Sequence, residues 1–227
     1  MSKHKLNSTE VSSIIGKEGQ KIARKCNEDY DELIRTHLLR LTCDNVRELY
    51  YGWFNESKNW RSCSGGLTGF SEFLVFRILY HTLTSMGEQF EKRRRGSKGT
   101  DPTFFVSKNY EIRQSVQEKL GNRRKVPDIL IKHKGSPSGI IQIKVNVNRN
   151  FKEIEGEVET MKSFRKYYPK IKGLFVVYTK DDVSEKKKGK LEEAYHVKVL
   201  QGNQEIISDA LRKFVLACAS EVCSQDG

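Results

Sequence analysis

The chain has 227 residues, 37% of them hydrophobic, which is enough for one large domain with a real core under a very polar surface (mean hydropathy −0.64). Lys and Arg number 41 against 29 Asp and Glu, a formal charge of +12. This balance favours a polyanionic partner, nucleic acid ahead of a membrane surface, because each cation laid on a phosphate releases condensed counterions. No stretch approaches the ~20 apolar residues of a transmembrane helix, and Met1-Ser2-Lys3-His4-Lys5 does not open a signal peptide. The five cysteines (Cys26, Cys43, Cys63, Cys218 and Cys223) form no CxxC pair and have no zinc-ligand spacing. They are expected to be reduced thiols in a cytoplasmic protein.

Residues 1–66 read as a helical region. Val11, Ile14, Ile15 and Ile22 lie along 10–25, and Leu33, Ile34, Leu38 and Leu41 recur at helical spacing over 29–41. Ile14-Ile15-Gly16-Lys17-Glu18-Gly19 looks like a GxxG loop of the kind that clamps a nucleic-acid backbone, but no strands are expected around it. The aromatics Tyr50, Tyr51, Trp53, Phe54 and Trp60 follow; they read as core or as a dimer contact before they read as base-stacking platforms. Ser64-Gly65-Gly66 then breaks the chain.

Residues 67–227 read as a second, mixed α/β unit. From Thr68 to Met86 the pattern is apolar nearly all round, as in a buried central helix. Glu72 is the one acid within its apolar run, and a carboxylate there needs a partner. Lys92 to Gly99 reads as a basic, glycine-rich loop, with Arg93, Arg94, Arg95 and Lys98 as candidate phosphate contacts. Strands are expected at 103–107, 126–133 and 139–147, the last two joined by a turn at Gly135-Ser136-Pro137-Ser138. Helix 150–168, a strand covered on both faces at 173–179, helix 185–194, strand 196–200 and helix 206–218 complete the order. The expected fold is a mixed sheet with helices on both faces.

Chemistry concentrates at Asp128 and the strand that follows it. Along 139–148 the odd positions Ile141, Ile143, Val145 and Val147 are apolar, whereas Gln142, Lys144, Asn146 and Asn148 are polar and share the other face. A hairpin would return Asp128 beside Gln142 and Lys144. A carboxylate and an amide oxygen are hard ligands that suit Mg²⁺. A neighbouring lysine could position or deprotonate a water and offset negative charge. His133 falls on the face opposite Asp128, as a core-edge residue. The run Lys186-Lys187-Lys188-Gly189-Lys190 reads as solvated.

Pro127-Asp128 followed by Gln142-Ile143-Lys144 resembles the PD-(D/E)xK nucleases of the restriction-endonuclease fold. Gln142 stands where most of that family carries an acid, although a minority, the Mrr-like restriction nucleases among them, have Q-x-K. Such a glutamine fits a native variant, an engineered Glu→Gln change or an inactive relative. The resemblance implies a restriction-endonuclease-like core and Mg²⁺-dependent (or Mn²⁺-dependent) cleavage of double-stranded DNA, with no nucleotide cofactor and no membrane role. Its leading form would be a type II restriction enzyme acting as a homodimer. Asp128, Gln142 and, from the preceding helix, Glu72 would bind the metal, and Lys144 would act on the attacking water. The basic loop, Asn146 and Asn148 would contact DNA. A junction-resolvase-like repair nuclease and an inactive nucleic-acid-binding protein are the alternatives.

Overall fold

A strand with apolar residues at consecutive positions must be covered on both faces, and this requirement organises the molecule. The computed structural model describes residues 25, 28–56, 70–94, 103–144, 152–177, 184–195, 197–203 and 205–220. Its strands are β1 (Glu91–Arg94), β2 (Thr103–Val106), β3 (Tyr110–Gln114), β4 (Glu118–Leu120), β5 (Arg123–Lys125), β6 (Ile129–His133), β7 (Ser136–Lys144), β8 (Lys172–Val177) and β9 (Val197–Leu200). Seven form one sheet in the order β1-β2-β3-β6-β7-β8-β9, and β4-β5 is a separate hairpin. Pairing is antiparallel from β1 to β7 and parallel from β7 to β9. The parallel pairs follow from the intervening helices α4 (Lys152–Tyr167) and α5 (Glu185–Tyr195), since a parallel connection needs a crossover.

The remaining helices are α1 (28–37, extended by a 3₁₀ turn at Leu38–Arg40), α2 (Cys43–Glu56), α3 (Phe70–Ser85) and α6 (Ile207–Ser220). They cover one sheet face, where Leu74, Ile78, Leu79 and Leu211 pack with Ile129, Ile131, Ile141, Leu174 and Val176. α4 and α5 cover the other, where Ile154, Val158, Phe164 and Leu191 pack with Leu130, Ile140, Phe175 and Val177. The mixed α/β sheet with helices on both faces is therefore as the periodicity predicts. Ile34, Leu38, Cys43, Val46 and Trp53, from the helical N-terminal region, belong to the first of these cores. Trp53 stacks on Phe70 at 4.1 Å between ring centroids, a packing role. Cys43 and Cys218 are buried and in no disulfide among the described residues, and Cys26, Cys63 and Cys223 lie outside the described residues.

Several boundaries differ from the sequence reading. The β6–β7 turn is the tight pair Lys134-Gly135, both at positive φ, and Pro137 lies inside β7 beside an irregularity in the pairing. The first part of the expected basic loop is edge strand β1, whose Arg93 pairs with Phe104 of β2. β3, β4 and β5 were not expected. They are short and heavily charged, and neighbouring strands and Leu120 hold them rather than a local pattern. The GxxG-like segment, Trp60, Arg95, Lys98, Asn146 and Asn148 lie outside the described residues.

One polar cluster fixes α1 on α3. Asp31 accepts both Arg77 Nε (2.5 Å) and Arg77 Nη2 (2.7 Å), and His81 Nε2 sits 2.9 Å from the same carboxylate. Burial alone would raise the Asp31 carboxyl, but the hydrogen bonds from His81 and Arg77 outweigh it and hold it at about 2. A carboxyl lowered on folding stabilises above its unfolded value, and that contribution is lost as pH falls towards 2. We therefore expect Asp31→Asn to cost about 1–2 kcal/mol at pH 7, after allowance for solvent screening. Urea melts should show the difference from wild type shrinking between pH 4 and pH 2. A constant difference would show that charge is not the source.

Candidate active site

The site forms where the β6–β7 ladder stops. Pro127 has no N–H to continue it, and side chains take over beyond the Ile129–Ile141 pair. The Asp128 N–H donates to Gln142 Oε1 (2.8 Å), and the Ile143 N–H donates to Asp128 Oδ2 (2.7 Å). Asp128 and Gln142 thus lie side by side, as the hairpin argument expects. The expected open polar face, however, is closed at Gln142, which is fully buried beneath α4. Its carbonyl oxygen, expected to face a metal, accepts the Asp128 N–H.

The other end of the Gln142 amide identifies a residue that the sequence reading missed. Gln142 Nε2 donates to Glu157 Oε2 (2.8 Å), and Lys144 Nζ lies 2.7 Å from Glu157 Oε1. Glu157 is on α4, three residues after Ile154 and four before Met161, both buried. It therefore lies on the apolar stripe of the helix. An acid on such a stripe was the signal that singled out Glu72, and it applies equally here. Glu72, in the first turn of α3, approaches from the opposite face and accepts a hydrogen bond from Ser115 Oγ. It does not pair with Arg77, which Asp31 occupies.

Three carboxylates thus influence one another around a single amine. Burial is the main cause that pushes the Asp128 carboxyl up to about 7; the Ile143 N–H opposes the rise, while Glu72 and Glu157 add to it. Burial likewise raises Glu72; its hydrogen bonds from Ser115 and Gln114 work against this, and Glu157 adds to it. If all three acids ionise, Lys144 offsets only one charge, so the donor chemistry matches a hard divalent cation. Among the described residues, no three His, Cys, Asp or Glu side chains form a ligand group on their own. Mg²⁺ needs none, since it binds through one or two carboxylates and completes its shell with water and phosphate oxygens.

Of the expected nucleic-acid contacts, Arg93 is exposed and lies 3.3 Å from Glu91. The register Arg93–Phe104–Arg113–Leu130 places it on the Asp128 side of the sheet. Arg94 belongs to β1, but its side chain is not described. His133 is buried on the opposite face against Tyr110, as expected. No helix among the described residues is long and apolar enough to cross a membrane. No protein-family model and no curated protein matches the chain.

The sign of the Asp128 shift gives a direct test. A carboxyl raised on folding contributes stability that is fully present below about 4 and is lost as pH rises through about 7. Metal-free protein should therefore melt at a lower temperature at pH 8 than at pH 5. Asp128→Asn should flatten this dependence and melt several degrees above wild type at pH 8. Equal pH slopes in thermal melts of the two proteins would contradict the assigned burial.

Proposed function

We propose that this chain is a divalent-metal-dependent phosphodiesterase of the PD-(D/E)xK type, with double-stranded DNA as its substrate. The observation that carries the reading is the meeting of Asp128, Gln142, Lys144 and Glu157 at the end of the β6–β7 ladder. Glu157 supplies the acid that the Q-x-K sequence lacks. Gln142 is then a positioning residue, which holds Glu157 through its Nε2 and the Asp128 backbone through its Oε1. Asp128 and Glu157 would hold Mg²⁺ or Mn²⁺, with Glu72 behind them. Bound there, the ion would polarise a phosphoryl oxygen and acidify a water.

The chain's own groups have separable tasks. Asp128 is fixed by the Ile143 N–H, so its free oxygen has a defined direction. Lys144 spends one of its three N–H donors on Glu157, leaving others for a phosphate oxygen or the attacking water. Attack by that water breaks the P–O3′ bond and leaves a 5′-phosphate and a 3′-hydroxyl. The net charge of +12 suits a polyanionic substrate. Cutting both strands of a symmetric site, as a type II restriction enzyme does, would require two copies about a two-fold axis.

Plasmid and phage DNA incubated with Mg²⁺ or Mn²⁺ should be cut. Asp128→Ala, Lys144→Ala and Glu157→Ala should each lose activity by a factor on the order of 10³. Gln142→Glu alone should also impair cutting, because it sets a carboxylate against Glu157. The exchange Gln142→Glu/Glu157→Gln keeps both the net charge and the hydrogen bond, and should recover most of the loss. DNA left uncut by wild type under both metals would overturn the reading, and full activity in Glu157→Ala would remove Glu157 from the site.

A further inference from the structure

Between β3 and β6 the chain leaves the sheet as the β4–β5 hairpin and returns directly into Asp128. Both ends of this excursion are fixed at the site. Ser115, at its start, donates its N–H to the Asp128 carbonyl (2.9 Å) and its hydroxyl to Glu72. A hairpin with three residues in each strand is not stable alone, so its anchors matter. Leu120 is buried in the core under α4. Gly121, at φ +57, approaches α4 so closely that a Cβ there would meet the Tyr167 hydroxyl. Glu118 lies 3.2 Å from Lys132 Nζ and 3.4 Å from Arg113 Nη1. The hairpin is thus a braced lip beside Asp128.

Its outer surface is arranged at an energetic cost. Residues 119–125 contain four cations and no acid. Lys119 and Arg124 are direct cross-strand partners, so their side chains emerge together on one face, and both residues are exposed. Like charges placed opposite one another destabilise a hairpin. Lys119 has no ion-pair partner among the described residues, and Arg124 reaches only Gln117, at 3.5 Å. The two cations line a depression of about 360 Å³ together with Arg113, Gln117 and Glu118, the last an acid already paired with Lys132 and Arg113. Folding gains nothing from this juxtaposition, whereas a phosphate entering the depression would neutralise it.

We propose that Lys119 and Arg124 form a phosphate clamp that grips the DNA backbone beside the phosphodiester presented to Asp128. The clamp rests on the nuclease reading and assigns the hairpin as the element that seats the substrate. β1–β3 would form the floor of the approach, since Phe104, Val106, Glu111 and Arg113 on that face are only half-buried and the α4–α5 core takes nothing from them.

The test measures binding of a fluorescent DNA duplex to the full chain, with Ca²⁺ replacing Mg²⁺, over a range of salt concentrations. Lys119→Ala/Arg124→Ala should weaken binding at least tenfold and reduce the slope of log K against log salt by about 2. It should melt no lower than wild type, because it removes a repulsion. With Mg²⁺ it should raise KM and leave kcat nearly unchanged. Lys186→Ala/Lys190→Ala on α5, with the same change in net charge, should leave the slope unaltered. If wild type binds and the hairpin variant keeps its affinity and slope, or if the α5 variant loses as much, the clamp is wrong and the nuclease reading stands. If wild type binds no duplex at all, both fall.

Discussion

A fully buried amide has to satisfy both its ends, and in this protein that requirement assembles the site. Gln142 lies on a central strand covered on both faces, where an unpaired carbonyl or NH₂ group would cost about 1–3 kcal/mol. Its oxygen is satisfied by the backbone of Asp128 and its nitrogen by Glu157. The two acids are therefore held by one side chain that is itself immobilised by core packing. A glutamate at 142 would present two acceptors to the same two neighbours and could not bridge them. On the proposed function, the glutamine that departs from the PD-(D/E)xK motif would be what positions an acid of the next helix beside Asp128.

How much of this was legible depended on whether an element is specified locally. The α3 helix and β8 announce themselves, because each carries apolar residues where solvent would otherwise reach, and α4 and α6 show clean stripes. The hairpin β4–β5 does not, since its six paired residues include five charges and its stability comes from Leu120, Gly121 and Glu118 meeting distant partners. β3 is similar: only Tyr110 and Ile112 face the core, and Glu111, Arg113 and Gln114 obscure the alternation. Strand parity correctly placed Gln142 and Lys144 together. It could not reveal that α4 folds over that face, which is a tertiary fact. The part of the polar face beyond Lys144 lies outside the described residues.

The two faces of the sheet divide the work. One is filled from α1, α2, α3 and α6 and is almost wholly apolar apart from the Asp31–Arg77–His81 cluster at its margin. The other is apolar at Leu130, Ile140, Phe175, Val177, Val197 and Val199, polar at Gln142 and Lys144, and ionic over β3, where Arg113 is held between Glu111 and Glu118. Asp128 sits on the boundary between the dry half and the charged half. This position explains why burial dominates its electrostatics even though charged groups surround it. On the proposed function, it would also give a substrate a polar approach to a carboxylate whose protein surroundings are already fixed.

The sheet's first edge limits how two copies of the chain could meet. β1 reads Glu-Lys-Arg-Arg, and Glu91, Lys92 and Arg93 are all exposed. Three cations along a strand edge that has no further neighbour among the described residues repel an identical strand and discourage sheet-to-sheet addition. A continuous fourteen-stranded sheet through β1 is thus disfavoured by charge alone. A symmetric pair would need a joint built from helical surfaces, leaving this cationic edge open to solvent or to a polyanion.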